Sequence, residues 1–181
     1  MKRVFTLAAI LATALLTSFA CAQEPAKPGP EHDILKEMDG TWDAVMHMPG
    51  EPQDAPASKG TAVYKMEVGG LWLTSHFQGD FGGAKFEGRG IDGYDQAKKK
   101  YTGIWVDSMS SAPMIFEGSY DAKSKVLTMT SDYPGPDGKP AKYKTKSTSK
   151  DKDHHTFTMY LLDEAGKEQE MMTIEYTRKK K

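Results

Sequence analysis

The stretch KGTAVYKMEVGGLWLTSHFQG, residues 59–79, contains the pattern from which the rest of the chain can be read. Tyr64, Met66 and Val68 fall on one side of an extended backbone, and Lys65 and Glu67 on the other. A period of two marks a β-strand with one buried face. Gly69-Gly70 then supplies a tight reversal, and Leu71–Gly79 resumes as a second strand antiparallel to the first. The unit is a hairpin.

Outward from this hairpin the same unit recurs. Strand-like segments occupy Thr41–Met48, Lys59–Val68, Leu71–Gly79, Lys85–Tyr94 and Lys100–Asp107, then Met114–Tyr120, Val126–Tyr133, Lys142–Ser149, His155–Leu162 and Glu168–Arg178. Phe157, Met159 and Leu161 oppose Thr158 and Tyr160, and Met172, Ile174 and Tyr176 oppose Thr173, Glu175 and Thr177. The links are short and turn-rich: Asp95 to Lys99, Asp121 to Lys125, and Asp163 to Lys167 around Gly166. Only His32–Met38, before the Asp39-Gly40 breaker, reads as a short helix. About ten sequential strands with hairpin links predict an all-β chain, a closed antiparallel up-and-down barrel, because closure removes exposed edges. A β-sandwich is the other arrangement such strands allow. A barrel of this size leaves room inside for a small molecule.

The N-terminus reads differently. Lys2 and Arg3 precede an uncharged run, Val4–Leu16, and small residues end in Ala20-Cys21-Ala22. That is the pattern of an export signal over residues 1–22, and the apolar run is too short for a stable membrane anchor. Cleavage after Ala22 gives a freely exported chain, whereas lipidation of Cys21 would tether it. A Pro-rich spacer, residues 23–31, precedes the barrel domain of residues 32–181. The expected location is the periplasm or the exterior. The leader removes two basic residues and no acid, taking the net charge from −1 to −3. Such a balance gives no reason to expect a nucleic-acid partner. Cys21 is the only cysteine, so the folded domain has no disulfide and no cysteine-based nucleophile or metal site.

Asp39-Gly40-Thr41-Trp42, GGLWLTSHFQGDFGG, KFEGRGIDGYD and KKYTGIWVDSMSSAP occur in this order, followed by FEGSYD, DHHTFTMY and MMTIEYTRK. Together they resemble the bacterial exported family catalogued as domain of unknown function 1579, which is considered lipocalin-like. The resemblance spans about Glu31 to Lys180 and implies a calycin-type barrel with no established activity.

Within such a barrel, Trp42 on the first strand and Arg178 on the last become neighbours. They are expected to form a structural clasp, guanidinium over indole. Tyr101, Gly103, Trp105 and Asp107 share one face of their strand, and Thr102, Ile104 and Val106 the other. Both faces carry large apolar groups, and the Trp105 face is expected to point inward. Asp107 would then either orient a polar ligand group or bond the amides of the Ser108–Ser110 turn. Lys98–Lys100 reads as a solvated hairpin tip. Tyr64, Met66, His76, Tyr101, Trp105, Asp107 and Met159 are the candidate lining of a ligand cavity, with Met129 and Met172 as further adaptable apolar groups.

Metal and cofactor chemistry find little support. His154 and His155 are adjacent and must face opposite sides, and no HxH or HxxxH pair occurs. A haem barrel would need an inward histidine, for which His76 is the candidate. Met46-His47-Met48 does not place its three soft donors on one face. No GxSxG motif or phosphate loop is present, and GRGIDG is followed by no helix. The expected function is a noncatalytic cell-envelope barrel for a small, largely apolar molecule, with no cofactor or metal and no transmembrane segment. Two alternatives stand beside it. One is a hydrolase or isomerase using Asp107 or Glu117 with Tyr64 or His76. The other is a filled barrel acting as a structural or interaction module.

Overall fold

The computed structural model describes residues 24–52, 57–81 and 83–180. The leader with Cys21, residues 53–56 of the loop after the first strand, and Gly82 lie outside the described residues.

Ten strands form an antiparallel meander: β1 (Gly40–His47), β2 (Ser58–Glu67), β3 (Trp72–Phe81), β4 (Ala84–Asp95), β5 (Lys100–Asp107), β6 (Met114–Asp121), β7 (Val126–Pro134), β8 (Pro140–Ser149), β9 (His154–Leu162) and β10 (Glu168–Arg178). Consecutive strands pair, and β1 pairs with β10 from Trp42↔Arg178 to His47↔Thr173, so the sheet closes on itself. The expected barrel is present, with each of its expected strands within two residues of its expected limits.

Alternation is interrupted locally at the end of β2 and within β10. Val68, expected to end β2 on the inner face, begins a 3-10 turn, Val68–Gly70, and its side chain is exposed. Val68 itself takes a positive φ of 50°, followed by Gly69 at 69° and Gly70 at 82°, so the reversal begins at Val68 and takes it out of the strand. On β10 the register shifts between Glu170 and Met172. This β-bulge brings Met172, Ile174 and Tyr176 into the barrel, while Glu168 stays with Lys144 and Lys146.

The helix α1 (Pro30–Lys36) begins two residues before its expected start. Proline suits the first turn, where its missing N–H costs nothing and its φ is already helical. His32, one turn in, is buried and accepts a hydrogen bond from the Gly29 amide through Nδ1 (3.0 Å). The helix packs against β2, β3 and β4. Leu35 is almost completely buried there, beside Leu73, Tyr101, Phe116, Leu127 and Met129. Burying one such leucine stabilises the fold by about 2 kcal/mol. The Tyr101 hydroxyl donates to the Glu31 carbonyl (3.0 Å) and fastens the helix across the barrel end.

The two ends of the barrel therefore differ. One is plugged by α1. At the other end β1, β3 and β5 finish and β2, β4 and β6 begin.

Candidate ligand cavity

Between the helix and the unplugged end lies a cavity of about 320 Å³. Leu35 and Met38 form its floor, and inward residues of the strands form its wall. The wall is mostly apolar, with Phe77, Phe86, Trp105, Phe116 and Phe157 among its aromatic groups and seven methionines around the lining. Flexible thioether chains suit an adaptable apolar surface. Ser75, Thr145, Ser147, Tyr64 and Tyr176 add hydroxyls.

Trp105 is seated by glycines. It pairs with Gly90 on β4, while Gly88 pairs with Asp107. A Cβ on Gly88 would lie 2.1 Å from Trp105 Cζ2, and one on Gly90 would lie 3.2 Å from Cε3. The indole lies across β4 only because neither position has a side chain. Its Nε1 donates to Asp107 Oδ2 (2.9 Å), and Asp107 Oδ1 accepts the Met109 amide (2.8 Å). Asp107 thus orients the indole with one oxygen and caps the following turn with the other.

Asp92 lies deeper. It sits two residues beyond Gly90 on β4, opposite Gly103, whose missing Cβ leaves room for the carboxylate (2.1 Å from that position to Oδ1). Among the described residues no group hydrogen-bonds to it. Its accessible surface borders the cavity. Burial pushes its pKa up to about 7, because the charged form has lost water and gained no donor. Tyr64 stands near enough for the Asp92 charge to help raise the phenol, after burial and neighbouring Tyr176.

A family model described as a protein of unknown function, DUF1579, matches residues 27–178. This chain belongs to that family. No curated protein matches the sequence. Among solved structures, Rv2717c from M. tuberculosis is 12% identical, covering 84% of this chain and 99% of its own, with a TM-score of 0.58. The S-type phycobiliprotein lyase CPES from Guillardia theta is 9% identical, covering 83% and 93%, with a TM-score of 0.53. At these identities the likeness is one of fold alone.

In this DUF1579 barrel the expected site residues separate into three groups. Tyr64, Trp105, Asp107 and Met159 line the cavity, as do Met129 and Met172. Met66 and Tyr101 point inward but pack in the closed core around the helix. His76 is on the outer face, where Nε2 meets Glu87 Oε1 at 2.8 Å. Ser75 and Phe77 point inward on β3, so the residue between them cannot. Glu117 is also outside, held by Lys98 and Lys100 (Lys100 at 3.3 Å), which gives the hairpin-tip lysines a structural partner. Met46 is buried while His47 faces Glu175 outside (4.0 Å).

The inward histidine is His155. It is stacked on Tyr176 (4.3 Å between ring centroids) and edge-on to Trp42 (4.4 Å), behind the cavity wall. Both ring nitrogens are buried without a hydrogen-bond partner among the described residues, and burial, then the Arg178 charge, pushes its pKa down to about 4. Arg178 lies over Trp42, 4.0 Å from the ring centroid, as the clasp requires. Among the described residues, no group of three or more His, Cys, Asp or Glu is arranged to hold a metal, and no helix is long and apolar enough to cross a membrane.

Asp92 and the glycines at 88, 90 and 103 are the functional features that sequence reasoning missed. The signal was available: GRGIDG and YTGIW place three glycines and an acid at alternate positions of two paired strands. Glycine there reads as a bend until pairing shows which large side chain occupies the space.

Proposed function

We propose that this protein is a noncatalytic binding barrel of the bacterial cell envelope that holds one small, largely apolar molecule. The observation that carries this reading is the cavity: about 320 Å³, predominantly apolar, closed at one end by α1 and walled by Trp105. Ligand sites commonly begin at about this size and combine apolar walls with few polar groups. The expectation of a solidly filled barrel does not suit such a space. A noncatalytic role fits Glu117 and Asp107, since Glu117 faces outward and both Asp107 oxygens are engaged. Placement in the envelope rests on the signal-like leader, Met1–Ala22.

Native mass spectrometry of freshly purified protein, with titration of a neutral naphthalene fluorophore, tests the binding role. Retained small-molecule mass or saturable one-to-one dye binding that weakens at least fivefold in Trp105→Ala is expected. A barrel that purifies empty and does not bind the dye would overturn the proposal.

A further inference from the structure

The cavity's charges narrow the chemistry of what it can hold, and this inference rests on the binding reading above. Asp92 and Asp107 are the charged residues in its lining, and among the described lining residues there is no lysine, arginine or histidine. The two acids are not equivalent. Asp107 already accepts from the Trp105 indole and the Met109 amide, so its charge is shared with protein donors. Asp92 has no donor among the described residues, although it sits over Gly103 in a space made for it. A carboxylate facing an apolar cavity without a partner is costly in the empty protein. It becomes favourable when a ligand brings the missing donor, above all a cationic one.

We propose that the cavity selects a short amphiphile with a primary amine head, which donates to Asp92 while an apolar body lies against Trp105 and the methionines. The same arrangement rejects an anionic amphiphile of equal length, because a second carboxylate would meet Asp92 with no cation between them. Specificity then comes from a group the protein leaves unsatisfied, so the wrong head is refused as well as the right one favoured. Size agrees. At about 30 Å³ per water-sized group, the cavity holds roughly ten such groups, and octylamine is of that order.

Octylamine, 1-octanol and octanoate, matched in length, decide the matter by calorimetric titration of the full folded domain at pH 8, where the amine is protonated. Octylamine is expected to bind at least tenfold tighter than octanoate, with octanol between them. Asp92→Asn should weaken octylamine at least tenfold while leaving octanol within about twofold, and that octanol binding also reports an intact cavity. Asp107→Asn should affect octylamine less than Asp92→Asn does. Octanoate binding as tightly as octylamine, or an Asp92→Asn protein with unchanged amine affinity, would overturn the assignment. If octanol binds and octylamine shows no preference, the head-group inference fails and the binding barrel survives. If none of the three binds, the binding reading itself falls.

Discussion

At neutral pH the Asp92 carboxyl lies near its midpoint, while His155 has already lost its proton. These two groups pull stability in opposite directions. From about pH 4 to 7 folded Asp92 keeps a proton that the unfolded chain gives up, so its contribution falls as pH rises. From about pH 6.5 down to 4 the unfolded chain takes up a proton that folded His155 refuses, so its contribution falls as pH drops. In the wild-type protein the two slopes largely offset each other below pH 6.5. Asp92→Asn should expose the histidine slope, with stability rising toward pH 6.5 and then levelling. At pH 8 the variant should be more stable than wild type by up to ~4 kcal/mol, with little difference at pH 4. Urea midpoints at pH 4, 5, 6.5 and 8 read this out, and equal midpoints at pH 8 would contradict it.

On the scale of an element, β4 and β5 form a two-strand seat whose pattern is legible only as a pair. Gly88, Gly90 and Asp92 alternate along β4, and Gly103, Trp105 and Asp107 along β5. Each large group faces a glycine across the ladder: Trp105 against Gly90 and Asp92 against Gly103. The same device serves the outer face, where Trp72 lies over Gly93 (a Cβ there would be 2.6 Å from Cε3). Gly88→Ala should drive the indole from its seat and cost ~1–3 kcal/mol, the usual range for overpacking. In a Trp105→Leu background the cost should shrink to ~0.5 kcal/mol or less, since the clash partner is gone. A double-mutant cycle in urea checks this, and additive costs would show that the seat is not what Gly88 provides. Turn chemistry was more readable. Asp95 and Asp121 cap their hairpins through Oδ1, as aspartate does in such turns.

For the molecule as a whole, Arg178 is the residue through which the most distant parts of the chain meet. It stacks on Trp42, donates to the carbonyls of Glu37 (2.8 Å) and Asp39 just after α1, and donates to Lys152 before β9 (2.8 Å). Gly40, at φ 134°, has no Cβ to displace the guanidinium, which would otherwise lie 2.5 Å away. One planar fork thus joins the first strand, the last strand, the helix end and the β8–β9 loop. Arg178→Ala should destabilise by ~2–4 kcal/mol, from a partly shielded cation–π contact and charge-assisted hydrogen bonds. Arg178→Lys should recover less than half, because an ammonium cannot reproduce the fork. Chemical denaturation of both variants measures this, and full recovery by lysine would reduce the clasp to a point charge.

The inward turn of Trp105 was decided by the tertiary structure, while the sequence, read alone, determined the barrel, its strand limits and the Trp42–Arg178 closure. Those features follow from local alternation, turn residues and the meeting of chain ends that closure enforces. It could not settle His76 against His155, since parity places a residue on a face without saying which face is inside. It also left Asp92 unremarked, one acid among 25. Only the paired strands put that carboxylate over a glycine, inside a cavity with no cation in its described lining, and a buried charge matters through what surrounds it.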